Sequence, residues 1–125
     1  MNTVKVKIKI HQTELSAELY NTDTGKAIYE NLPLKGNVNV WGDEIYFTVP
    51  ISLPEEKSAS EHTAIGDLAF WPVGSAFCIF FGPTPVSIDE RPRAYSPVNI
   101  FGKISSEISS LKSIKQDDEI WVSKV

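Results

Sequence analysis

Apolar and polar residues alternate over residues 4–10, with Val4, Val6, Ile8 and Ile10 on one side and Lys5, Lys7 and Lys9 on the other. That period of two predicts a half-buried strand whose lysine-studded face discourages edge pairing. Leu15, Ala17 and Leu19 repeat the pattern and predict a second strand. A short helix is expected between Asn21 and Pro33. Thr22 or Asp23 would cap its free amides, Ala27, Ile28 and Leu32 would face inward, and Pro33 would end it. Residues 38–40 and 44–49 read as strands joined by the turn signal Trp41-Gly42-Asp43.

Residues 50–64 carry Pro54, Glu55, Glu56, Lys57 and Glu61 among small polar residues, and read as a mainly solvated loop. Strands follow at 66–71 and 75–81, separated by Pro72-Val73-Gly74. The second is apolar on both faces, which predicts a central strand covered on both sides. Residues 82–97, punctuated by prolines, read as a long loop of the kind that often carries function. A strand at 98–104, a helical turn at 105–111 and a last strand at 119–125 complete the reading. Seven or eight strands with one or two short helices predict a mainly β domain, closed or nearly closed into a barrel.

Composition narrows the class of function. A chain of 125 residues suits one domain spanning 1–125, with 42% hydrophobic and 22% charged residues. The net charge of −4 argues against nucleic acid or an anionic membrane as partner. The lone cysteine, Cys78, forbids an internal disulfide, the N-terminal segment is no signal peptide, and no apolar run reaches membrane-spanning length. A cytoplasmic protein is expected.

Two stretches carry a resemblance. Gly66-Asp67-Leu68-Ala69-Phe70 followed by Gly74-Ser75-Ala76-Phe77-Cys78-Ile79 resembles the cyclophilin pattern Gly-x-Leu-Ser-Met then Gly-Ser-Gln-Phe-Phe-Ile, with a shorter spacer. More specifically, the chain is similar to a prokaryotic family of small cyclophilin-like proteins of unestablished function. The segments that carry this are Trp-Gly-Asp-Glu-Ile-Tyr-Phe at 41–47, Gly-Asp-Leu-Ala-Phe-Trp-Pro at 66–72 and Ala-Phe-Cys-Ile-Phe-Phe-Gly-Pro-Thr-Pro at 76–85. Arg-Ala-Tyr-Ser-Pro-Val-Asn-Ile-Phe-Gly-Lys-Ile at 93–104 completes the set. The resemblance implies a cyclophilin-like barrel, while fold alone does not carry function.

Prolyl isomerisation needs neither metal nor nucleophile. A groove that binds the twisted amide better than the planar one suffices, and a factor of 10⁵ takes about 7 kcal/mol of differential binding. On the resemblance, however, the catalytic arginine position of cyclophilins falls on Phe47, its neighbouring histidine on Tyr46 and the proline-pocket phenylalanine on Cys78. Ordinary cyclophilin catalysis is not expected, and no catalytic residue is assigned. Arg91 and Arg93, the two arginines of the chain, lie in the proline-stiffened 82–97 loop. They read either as local surface partners of Asp89 and Glu90 or as an anion or carboxylate site.

Other candidates reduce to ordinary roles. Cys78 reads as a buried structural thiol, and His11 and His62 lack metal-ligand spacing, so neither metal nor cofactor is expected. Gly82-Pro83-Thr84-Pro85 lacks the helix and lysine of a phosphate loop. Asp43 reads as a turn residue. Glu44 and Tyr46, two apart on a strand, share the face opposite Ile45 and Phe47. The leading expectation is a non-catalytic binding domain whose aromatic-rimmed groove accepts a peptide segment or small ligand, through Trp41, Glu44, Tyr46, Phe70, Trp71, Arg91 and Arg93. The alternatives are a divergent prolyl isomerase using Arg91 or Arg93, and an interaction subunit of an amide-cleaving carboxylase or hydrolase system. The oligomeric state is left open.

Overall fold

The computed structural model describes residues 2–125. The antiparallel hairpin β1 (Thr3–Ile10) and β2 (Thr13–Tyr20) turns through His11 at φ +54. Its alternating residues Val6, Ile8, Ile10, Leu15, Ala17 and Leu19 are buried, and the lysines face out. Helix α1 (Asp23–Glu30) follows, capped by the Thr22 side chain, which accepts from the Gly25 amide at 3.0 Å. Ile28 is fully buried and Leu32 packs against the core, as expected from sequence, while Ala27 is only half-buried and Thr24 and Gly25 are buried beside them.

Two further short strands, β3 (Leu34–Asn37) and β4 (Asn39–Trp41), precede β5 (Glu44–Thr48). Then come β6 (Ser60–His62), β7 (Asp67–Trp71), β8 (Ala76–Phe80), β9 (Arg93–Ile104), a 3-10 turn at Ser109–Ser113 and β10 (Glu119–Lys124). The strand order is β3-β10-β1-β2-β9-β7-β8-β5-β4, with β6 paired to β9 outside this path. Ten strands thus form where the sequence pattern predicts seven or eight. The additions, β3 and β6, are too short for a period-two pattern to register.

The two ends of this sheet, β3 and β4, are consecutive in the chain and separated by Val38 alone. The sheet therefore curls into a nearly closed barrel whose ends are joined by covalent chain. Val38 is fully buried, donates to the Asp118 carbonyl at 2.9 Å and accepts from the Asp117 amide at 2.8 Å. Beside it Gly36 lies against the Phe47 ring, where an added Cβ would come within 2.9 Å of Cδ2.

Inside the barrel, Phe47, Phe77 and Phe101 stack in sequence, with centroids 5.3 Å and then 5.1 Å apart, among Ile8, Ile45, Leu68 and Ile79. Each such buried side chain contributes about 1.5–3 kcal/mol of transfer free energy. β8 is buried on both faces, as its unbroken apolar run predicts. Its second face, with Ala69, Ala76, Cys78, Phe80, Ala94 and Val98, forms a separate cluster on the outside of the barrel wall.

One expectation requires correction. Residues 82–97 are not loop throughout, since β9 begins at Arg93 and runs through Pro97. Its first half pairs with β6, leaving the proline outside the main ladder, where a missing N–H is tolerated. The 50–64 segment is mainly exposed, as expected, yet it carries β6 and is anchored at a few points. Ile51 is buried, and the fully buried Asn99 donates to the Pro54 carbonyl at 3.0 Å and to Thr24 Oγ1 at 3.2 Å, while accepting from the Glu56 amide at 2.9 Å. The Glu56 carboxylate in turn accepts from the Thr24 amide at 3.2 Å at the start of α1. No helix among the described residues is long and apolar enough to cross a membrane.

Candidate functional site

The outer cluster is roofed by the first half of β9, and a cavity of about 260 Å³ opens beside it. Its geometry follows from strand pairing. Trp41 and Glu44 are opposed across the β4–β5 hairpin, so their side chains share one face, and Tyr46 lies on that face two residues on. Tyr46 opposes Cys78 on β8, which opposes Ala69 on β7, and Trp71 opposes Ala76. The strip between Tyr46 and Trp71 is thus built of Cys78, Ala69 and Ala76. Small side chains there leave the depth that large ones around them enclose.

The hairpin turn is Gly42-Asp43, with Gly42 at φ +59, the conformation a two-residue turn requires at its first central position. Its backbone is fixed to the chain after β8: the Asp43 amide donates to the Pro83 carbonyl, and the Phe81 amide to the Asp43 carbonyl, each at 2.9 Å. Gly82 lies so close that an added Cβ would sit 2.4 Å from Asp43 Oδ2.

From β9 come Ala94, Tyr95 and Val98. A register shift opposite Leu68 and Ala69 sets Phe101 in the barrel core while Ile100 packs on the outer cluster. Tyr95, 69% exposed, stands edge-to-face with both tryptophans: its centroid is 6.2 Å from Trp41 at an interplanar angle of 77°, and 6.3 Å from Trp71 at 86°. Trp71 is held by its own donor, with Nε1 2.6 Å from Ser96 Oγ.

Glu44 is the ionisable carboxyl among the described lining residues, which include no lysine, arginine or histidine. It is 6% exposed, and burial pushes its carboxyl up to about 7, against a weak hydrogen bond from the Cys78 thiol that works the other way. Burial, and then the charge of Glu44, raise the Cys78 thiol, so this cysteine stays protonated and inert.

Of the seven residues proposed from sequence, the structure gathers Trp41, Glu44, Tyr46 and Trp71 around this cavity. Phe70 is not among them: it is fully buried in the barrel core, because adjacent strand residues point to opposite faces and Trp71 takes the outer one. Arg91 pairs with Asp89 at 2.6 Å on the surface, its side chain 78% exposed, and Arg93 reaches Glu61 at 3.3 Å rather than Glu90. Both border a shallow hollow with His62 and Ile88 and do not line the aromatic cavity. Tyr95, Ala94 and Val98 were missed by sequence reasoning. The alternation of Ala94, Ser96 and Val98 was a usable signal, masked by the prolines around it. No group of three or more His, Cys, Asp and Glu side chains converges as a metal site among the described residues.

A family model described as cyclophilin-like matches residues 4–123. The chain belongs to the cyclophilin-like family. Among solved structures, this cyclophilin-like protein is similar to a hypothetical protein of Archaeoglobus fulgidus determined in solution. The two are 34% identical over 98% of this chain and 95% of that one, with a TM-score of 0.83. It is also similar to McbB, solved in complex with tryptophan, at 16% identity and a TM-score of 0.73, over 95% of this chain and 44% of McbB. The second likeness is one of fold. A search of curated proteins finds no match.

Proposed function

We propose that this cyclophilin-like domain is a binding module whose ligand, a small molecule or a side chain of a peptide segment, seats in the cavity between Trp41, Tyr46, Trp71 and Tyr95. The observation that carries this reading is the arrangement of aromatic walls around one largely buried carboxyl, on the outside of the nearly closed barrel. Concave apolar sites with a few placed polar groups are the usual form of ligand pockets. Glu44 would orient the ligand, and the rings would supply contact area at low entropic cost.

Catalysis of prolyl isomerisation is not part of this reading. A donor beside the twisted amide is what the geometry of such a site requires, and both guanidinium groups are engaged elsewhere with carboxylates. The sole cysteine is sealed in the sheet, so the domain needs no oxidising compartment, in keeping with a cytoplasmic protein.

The test uses the protein's own tryptophans. Trp41 and Trp71 line the cavity while Trp121 lies on β10, so a fragment library is titrated against intrinsic fluorescence. Tyr46→Ala and Trp71→Ala are expected to weaken each binder about tenfold or more, the equivalent of about 1.4 kcal/mol. Unchanged affinity of every binder in both variants would sink the assignment.

A further inference from the structure

The cavity is walled by four aromatic rings. Trp41 and Trp71 each meet Tyr95 nearly perpendicularly, and Tyr46 lies on the sheet face beside them. The four rings come from four different strands, β4, β5, β7 and β9, and so surround a rounded group from several sides. The charge of the site is one-sided as well. Glu44 on β5 meets the Cys78 thiol from β8 and lines the cavity together with Tyr46, on its own strand, and Tyr95, from β9. β4 and β7 add the indoles of Trp41 and Trp71, and no cationic side chain lines the site among the described residues.

We infer that the ligand is a small molecule bearing a methylated ammonium group, seated among the rings of Trp41, Tyr46, Trp71 and Tyr95 with its charge opposed by Glu44. This rests on the binding reading above and specifies its ligand class. Ring faces attract cations through their quadrupole, most strongly for tryptophan, and the attraction grows when water is excluded. A methylated ammonium sheds its hydration more readily than a primary amine, which suits an apolar site. Its rounded head also suits a volume of about 260 Å³. The buried carboxylate then gains the countercharge that the free protein lacks.

Proton linkage follows. A carboxyl raised to about 7 holds its proton below neutrality, and a bound cation favours the ionised form, so binding releases that proton. Affinity rises with pH up to about 7 and then levels, making binding about tenfold weaker at pH 6 than at pH 8.

The experiment titrates choline and tetramethylammonium against 3,3-dimethylbutan-1-ol, the uncharged carbon counterpart of choline, by calorimetry and tryptophan fluorescence at pH 6 and pH 8. The cations are expected to bind about tenfold or more tighter than the alcohol at pH 8, with a smaller margin at pH 6. Glu44→Gln, which preserves side-chain shape, narrows the margin and removes the pH dependence, and Trp41→Leu weakens the cations more than the alcohol. Equal binding of alcohol and cation overturns the ammonium inference and leaves the cavity reading standing. Absence of binding by either also overturns the inference, and the fragment titration above, which needs no charge, then decides the cavity reading separately.

Discussion

Trp41 and Glu44 are direct partners across the two-residue turn of the β4–β5 hairpin, so one aromatic wall of the cavity and its carboxyl are carried by the same hairpin. Whatever displaces that turn displaces both. The turn in turn is pinned by Phe81 and Pro83 through backbone hydrogen bonds, so distant substitutions can reach the site through it.

Gly82→Ala is one of these. The added methyl would meet Asp43 Oδ2 and Cβ, at 2.4 and 2.9 Å, and the turn must retreat. Overpacking of this kind costs about 1–3 kcal/mol. A lowered urea midpoint is expected, with weakened binding of any cavity ligand, although residue 82 does not line the cavity.

Glu44→Gln should change stability in a pH-dependent way. In the unfolded chain this carboxyl titrates near its ordinary 4.5, and in the folded protein near 7. The folded state therefore binds more protons between those values, and stability falls as pH rises through them. The penalty is absent below about 4.5 and complete above about 7, on the order of 3 kcal/mol. Urea denaturation at pH 5 and pH 8.5 checks this: the Gln variant should gain most over the native protein at pH 8.5. An equal difference at both pH values would show that Glu44 is not held protonated by burial.

Asn99→Ala should loosen the chain well beyond its own position. It leaves the Glu56 amide and the Pro54 carbonyl without their partner and opens space beside Thr24. Because both groups are only part-buried, water takes up some of the loss, and the network's removal costs about 1–3 kcal/mol in all. The expected result is a Tm drop together with faster amide exchange in residues 54–59 and the first turn of α1. Exchange confined to β9 would contradict the network's role.

Arg91→Ala should be silent. Its partner Asp89 is a surface carboxylate, drawn well below its usual range by hydrogen bonds from Arg91, and such exposed pairs are screened by solvent. Unchanged Tm and unchanged ligand affinity are expected; a loss of binding would bring the 82–92 segment back into the site.

The barrel was legible because burial leaves a plain trace in period-two strands such as residues 4–10 and in the doubly buried β8. The co-facing of Glu44 and Tyr46 followed from the same geometry. What stayed hidden depends on contacts remote in sequence. Phe70 and Trp71 are both large and adjacent, and the pairing of β7, not composition, decides which one enters the core. Tyr95 required knowing that β9 starts before Pro97, and the roles of Asn99 and Glu56 arise from a bond spanning 43 residues. The arginines stood out because they were rare, yet the structure spends them on nearby carboxylates.

Val38 joins the two ends of the sheet by a single residue, and β4, with Trp41 at its end, has one ladder partner among the described residues, β5, its other side being held by the Gln116 side chain, which accepts from the Val40 amide at 2.9 Å. In dynamic terms the barrel is a bracelet with its clasp beside the cavity. Strands paired on one side open at lower free energy than those paired on both. Backbone amides of β4 are therefore expected to exchange faster than those of β7 and β8, which have a partner on each side beneath the cavity.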